Sequence, residues 1–196
     1  MREATANSRR KFLGLLAAGG GAGVAHARQG AAAARTLTEK DKVDVGNRGP
    51  ELVERASTLA REYIGQYGNC AQATIAALQD ALPFIAKSND VFLAGSALHG
   101  GATTTGNASC GGFTGAGIVI GNLCGRAREQ ASDRAATKLS TALVRQVAGK
   151  FEETYGSVIC KDVRAKADKK CGEVVAHAAG WAAEAILKQF AKGGQA

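Results

Sequence analysis

Apolar positions recur at helical spacing through most of the chain, and strict apolar-polar alternation persists nowhere. Pro50 suits a first helical position, with Glu51 beside it near the positive dipole end. Leu52, Ala56, Leu59 and Tyr63 follow, flanked by Val53, Ala60 and Ile64, until Gly65 or Gly68 ends the run. Asn69 to Gln72 resembles a capping box opening a second helix through Ala73, Ile75, Ala77 and Leu78, limited by Pro83. Asn89-Asp90 starts a third, carrying Val91, Ala94 and Leu98. A glycine-rich helix runs from Cys110 to Cys124 and includes Ile118-Val119-Ile120. Asp133 opens a long helix through Leu139, Leu143, Val147 and Phe151, stopped by Gly156. A short helix from Ser157 carries Cys160 and Val163, and a closing helix sets Val174, Ala178, Trp181 and Ala185 on one face. The pattern predicts an all-α fold, a single-domain helical bundle of about five or six helices.

The N-terminus bears on the compartment. Ser8-Arg9-Arg10-Lys11-Phe12-Leu13 precedes an apolar, glycine-rich run to Val24 and then Ala25-His26-Ala27. This is the pattern of a twin-arginine signal peptide over 1–27 with an A-x-A cleavage site, so the expected location is periplasmic. The run of about 14 apolar residues is short of the roughly 20 a bilayer span needs, and no stable membrane span is expected after signal removal. Residues 28–48 read as an Ala-rich, then charged linker, and 49–196 as one helical domain. The signal carries four basic residues and one acidic, so its loss lowers the formal charge from +8 to +5. With the cations dispersed and only three tyrosines, six phenylalanines and one tryptophan for stacking, no nucleic-acid partner is expected. A partner protein is expected for the chemistry of the cysteines, its identity open, and a homo-oligomer stays open as well.

The five cysteines carry the chemistry. Cys70 follows Asn69, Cys110 follows Asn107 and Ser109, Cys160 lies three after Ser157, and Cys171 three after Asp168. Each placement puts a sulfur in a first helical turn, where free N–H groups and the dipole favour a thiolate. Such sulfurs ligate metals or exchange disulfides. On the closing helix Cys171 falls between Val174 and Val175 in the apolar stripe, so its sulfur should point inward. Cys124 precedes Gly125, a helix stop, where the same electrostatics disfavour a thiolate. If 111–124 is one helix, Cys110 and Cys124 lie about 21 Å apart, too far for one small centre. Cys124 then reads as a small buried hydrophobe.

No C-x-x-C pair is present, so neither a thioredoxin-like pair nor a zinc ribbon is signalled. Without C-x-x-C-H, no covalent haem is expected. Gly111, Gly112, Gly115, Gly117 and Gly121 each cost a helix about 1 kcal/mol against alanine, so close approach of another backbone or of a cofactor must offset them. His177, at the edge of the closing stripe, reads as a partly buried structural histidine. His99, beside the loop Gly100 to Gly106, is a substitute ligand should one cysteine go unused.

Asn69-Cys70-Ala71-Gln72-Ala73, then Cys110-Gly111-Gly112-Phe113-Thr114-Gly115, then Phe151-Glu152-Glu153-Thr154-Tyr155-Gly156-Ser157 leading to Cys160, and Lys170-Cys171, together resemble the C_GCAxxG_C_C family of redox-active proteins, a domain also found in split-Soret cytochrome c. The similarity covers about residues 50–192. Gly112 stands where alanine is usual, and the cytochrome relative's haem-attachment signature is missing. The resemblance implies an all-helical domain whose Cys70, Cys110, Cys160 and Cys171 carry the redox function, with an iron–sulfur cluster as the implied centre. Helix N-termini and Lys161, Lys169 and Lys170 would offset its negative charge. The leading expectation is electron transfer by an exported protein. A thiol–disulfide exchanger, a bundle stapled by inert disulfides, and a zinc or copper(I) site remain alternatives.

Overall fold

The computed structural model describes residues 36–193. The proposed signal peptide and the first part of the proposed linker lie outside them. Among the described residues there are seven α-helices and no β-strand, an all-α bundle with each helix that the pattern marks present and one or two more than the expected total of five or six. They are α1 (Gly49–Tyr67), α2 (Cys70–Ala81), α3 (Asn89–Ala94), α4 (Gly111–Cys124), α5 (Lys138–Tyr155), α6 (Cys160–Lys166) and α7 (Cys171–Phe190).

α7 is the centre of the packing, and α1, α2, α4 and α5 all lie against it. Its small residues make that possible: Ala178, Ala179, Ala182 and Ala183 are fully buried beside Ile186, Leu187 and Phe190. Small side chains let helix axes close up, and the large ones fill the remaining space. Phe151 of α5 is fully buried, and its ring meets Phe113 at 5.7 Å and Trp181 at 5.3 Å. Burying one such side chain contributes about 1.5–3 kcal/mol.

The glycines of α4 serve helix contact. A Cβ at Gly115 would stand 2.5 Å from the Ala71 carbonyl oxygen, and one at Gly112 would stand 3.1 Å from Ala178 Cβ. Bare backbone at these positions lets α4 approach α2 and α7 closely. Gly121 faces open space and has no such role.

Helix ends follow local chemistry in part. Gly68, not Gly65, stops α1 in the left-handed conformation at φ 61°, and Gly156 does the same for α5 at φ 73°. α3 is shorter than its apolar spacing suggests. It ends at Ala94, and its cap residue Gly95 lies close against α2, where a Cβ would come within 2.7 Å of Ile75 Cδ1. Asp133 accepts from the Ala135 and Ala136 amides at 2.8 and 3.3 Å, starting a 3-10 turn that leads into α5.

The stretch read as a linker is, over 36–48, a strap bound to the bundle. Leu37 N–H donates to Leu123 O at 2.8 Å, and Val43 makes a parallel bridge with Ala191. Val45 is buried, and Asp44 meets Lys192 at 3.3 Å. Two or three apolar side chains sufficed to anchor a segment whose composition otherwise resembles a linker.

Candidate functional site

Four helix starts meet at one cavity. Cys70, Cys160 and Cys171 are the first residues of α2, α6 and α7, and Cys110 is the cap residue of α4. All four line a cavity of about 140 Å³, together with Ile64, Val163, Val174 and Val175 and, among polar groups, His99 and Arg164. Cys124, at the far end of α4, lines a different cavity beside the strap. The separation of Cys124 from the other four follows from the length of α4.

Each helix start is held by its own contacts. Asn69 caps α2: its Oδ1 accepts from the amides of Ala71 and Gln72 at 3.0 and 3.1 Å, and its Nδ2 donates to Ser96 O at 2.9 Å. Gln72 does not complete a capping box. Its amide reaches Ser96 Oγ at 3.0 Å instead, tying α2 to the end of α3.

Cys110 and Cys160 are stitched together by backbone. Ser109 and Ile159 form an antiparallel bridge in which Cys110 N–H donates to Val158 O at 2.7 Å and Cys160 N–H to Ala108 O at 2.9 Å. In such a pair the residues following the bridge lie diagonally on one face, within reach of each other's side chains. The expected caps at Ser109, Ser157 and Asp168 are not the ones used: Cys110, Ile159 and Lys170 hold the cap positions, with no side-chain cap bond. Ser109 is spent on the bridge, Ser157 Oγ accepts from Ile159 N–H at 3.0 Å, and Asp168 sits exposed at φ 50° with Lys170 as the cap of α7.

Glycines shape the cavity wall. A Cβ on Gly111 would run into the Cys70 sulfur and lie 2.8 Å from Leu98 O. Gly101, at φ 72°, faces Cys160 Cβ, where a side chain would come within 2.7 Å. The glycines around the cysteines thus make room for sulfur, whereas those deeper in α4 make room for neighbouring helices.

Cys110 and Cys160 are buried, and Cys70 and Cys171 are half-buried. The inward placement expected for Cys171 is thus only partly met. Burial pushes the Cys110 thiol up to about 12, with the nearby Cys70 adding to the shift and the amides of Gly112 and Phe113 opposing it. Burial also raises Cys160, and Cys70 adds to that, against the pull of Arg164. For these two sulfurs desolvation outweighs the helix N-terminus, so the expectation of bare thiolates fails. A bound cation reverses that balance, because metals displace thiol protons. Burial likewise raises Cys124 to about 11, in keeping with an inert thiol.

All five cysteines are free, so the stapled-bundle alternative finds no bond here. Among the described residues no group of three or more His, Cys, Asp or Glu side chains is arranged to hold a metal ion. One zinc ion with Zn–S bonds of about 2.3 Å needs its sulfurs about 3.8 Å apart. The four sulfurs share a cavity but are not gathered for a single-ion centre of that kind.

Sequence reasoning missed Arg164 as a wall residue, although a signal existed: Val163 and Arg164 stand three and four positions after Cys160, on the same helix face. It also missed Tyr155, which is near enough to Cys110 for charge there to raise its phenol, after burial, to about 12. Tyr155 Oη is 2.8 Å from His177 Nδ1, and His177 stacks on Trp181 at 5.1 Å. His177 is structural in that sense but exposed, not partly buried. His99 lies at the cavity and is exposed.

The family model described as "Putative redox-active protein (C_GCAxxG_C_C)" matches residues 68–185, a span that contains all four cavity cysteines. The chain belongs to this family. No curated protein and no solved structure matches it. Membership in the C_GCAxxG_C_C family makes the chain a redox-active protein in the broad sense and leaves its centre to be argued from the residues.

Proposed function

We propose that the chain is an exported electron-transfer protein whose Cys70, Cys110, Cys160 and Cys171 hold an iron–sulfur cluster. The observation that carries this reading is the shared cavity, in which four thiols from four helix starts face a space walled largely by Ile64, Val163, Val174 and Val175, with His99 and Arg164 as its polar groups. A cluster held there would supply reversible one-electron exchange.

The chain's own residues supply the rest. The apolar wall shields the buried Cys110 and Cys160 from water, Arg164 and the N-termini of α2, α4 and α7 set positive charge against thiolates, and Gly111 leaves space for the Cys70 sulfur. A multi-iron core spreads its ligands more widely than one ion does, which suits donors placed around a cavity better than a zinc or copper(I) site. Burial raises the pKa of Cys110 and Cys160, which counts against either as the attacking thiolate of a thiol–disulfide exchanger. Export rests on the Arg9-Arg10 segment, since the twin-arginine route carries folded chains with a cofactor in place.

The test is isolation without oxygen, followed by the visible spectrum and analysis for iron and acid-labile sulfide. Brown protein containing both is the expected result. Colourless protein with titratable disulfides, or protein carrying only zinc or copper, would overturn the proposal.

A further inference from the structure

Two surface features flank the mouth of the cysteine cavity. The first is charge. Along α6 and the turn after it, Lys161, Arg164, Lys166 and Lys169 are exposed and, among the described residues, have no carboxylate partner. The nearby acids are engaged: Asp162 accepts from Ser157 Oγ at 3.0 Å, and Asp168 lies 4.0 Å from Lys170. Cations alone usually mark a solvated face.

The second feature is apolar. Among the described residues the exposed large hydrophobics are Tyr67 and Leu93, 42% and 54% exposed. Tyr67 ends α1 and adjoins Gly68, a wall residue of the cavity, and its ring packs edge-on against Phe92 at 5.3 Å. Leu93 follows Phe92, and the end of α3 is tied to the Cys70 helix by the Asn69 amide. The apolar spot therefore lies on the Cys70 side of the mouth. The cations lie on the other side, where Cys160 opens α6 and Cys171 follows Lys169-Lys170. Cys70 and Cys171, the two half-buried sulfurs, fall between them.

We propose that the mouth of the cysteine cavity docks a small acidic electron-transfer protein, seated on Tyr67 and Leu93 and steered by Lys161, Arg164, Lys166 and Lys169. The proposal rests on the redox reading for what passes between the partners, while the docking itself does not. A small apolar contact inside a charged rim gives fast, weak association, the kind a partner that must leave after each electron requires. A membrane fits less well, because the exposed face of α6 is Lys161, Asp162, Arg164, Ala165 and Lys166, with no large apolar side chain to enter a bilayer. Nucleic acid fits less well still, because no aromatic ring stands among the cations to stack on bases.

The probe is an acidic flavodoxin, titrated into the full chain as isolated while backbone amide shifts and affinity are followed at low and high salt. Shifts should cluster at residues 67–70, 92–93 and 161–171, and affinity should fall with salt. Combined Lys161→Glu, Lys166→Glu and Lys169→Glu should weaken binding by at least about tenfold at low salt, with unchanged melting because these side chains have no fold partners. Leu93→Ser should weaken it severalfold at either salt. Shifts spread evenly over the surface, or triple-variant affinity equal to wild type, would overturn the proposal. So would phosphatidylcholine vesicles containing a quarter phosphatidylglycerol, or a single-stranded oligonucleotide, displacing the flavodoxin from these amides more tightly than it binds. Docking at this face by protein that contains no iron keeps the proposal and sinks the redox reading. Iron and sulfide present without docking sinks the proposal alone.

Discussion

Alanine at Gly115 and alanine at Gly121 are the same chemical change in the same helix, and the structure gives them opposite signs. Either change removes backbone freedom from the unfolded chain and adds helix propensity, together about 1 kcal/mol in favour of folding. At Gly121 nothing lies within 4 Å of the new methyl, so that gain should appear in full. At Gly115 the methyl would stand 2.5 Å from Ala71 O, 3.1 Å from Ala71 Cα and 3.1 Å from Thr74 Cβ. Two of these three atoms are backbone, and no rotamer change can clear them. Overpacking of this kind costs about 1–3 kcal/mol, and the upper part of that range applies where backbone must move. The net effect is a loss of about 1–2 kcal/mol at Gly115 against a gain of about 1 at Gly121. For a domain of this size the two melting temperatures should differ by about 5–10 °C. Thermal unfolding of the metal-free, reduced variants at neutral pH measures this directly. The displacement also bears on function, because Ala71 follows Cys70, so Gly115→Ala should lower bound iron while Gly121→Ala leaves it alone. If Gly115→Ala stabilised the fold as much as Gly121→Ala, tight contact between α2 and α4 would not be the reason for glycine in this helix.

Two further predictions rest on polar groups. Asn69→Ala should cost about 1–2 kcal/mol in guanidinium unfolding, because it removes a cap that also ties α2 to Ser96, and it should loosen Cys70; an unchanged unfolding midpoint would refute that role. Tyr155, raised by burial and then by the neighbouring Cys110, should show its phenolate absorbance only near pH 12. A raised pKa means that the folded state favours the protonated phenol, so its contribution is complete below about pH 10 and is lost as pH rises through about 12. Tyr155→Phe should remove that part of the alkaline loss, and ionisation of Tyr155 near pH 10 would contradict the placement.

Much of the scaffold could be read from local chemistry. Gly68 and Gly156 stop helices because they adopt positive φ, Asn69 caps because its side chain matches two free amides, and the cysteines mark helix starts because the apolar spacing resumes just after them. What could not be read depends on contacts remote in sequence. The need for glycine at 95 comes from its closeness to Ile75 of α2, and the strap over 36–48 is set by Leu123 and Phe190. The bridge between Ser109 and Ile159, which joins two cysteine segments fifty positions apart, leaves no alternating pattern because it is one residue pair long. Four sulfurs near helix starts were legible, and so was the exclusion of Cys124. Their state was not, because burial of Cys110 and Cys160 outweighs the dipole and depends on the walls that other helices provide.

Bound iron per chain in five single Cys→Ser variants, each isolated without oxygen, tests the central claim most directly. The account predicts that Cys70→Ser, Cys110→Ser, Cys160→Ser and Cys171→Ser each lose iron and the visible chromophore, while Cys124→Ser keeps both at the wild-type level. Iron retained in two or more of the first four, or lost equally in Cys124→Ser, would contradict it.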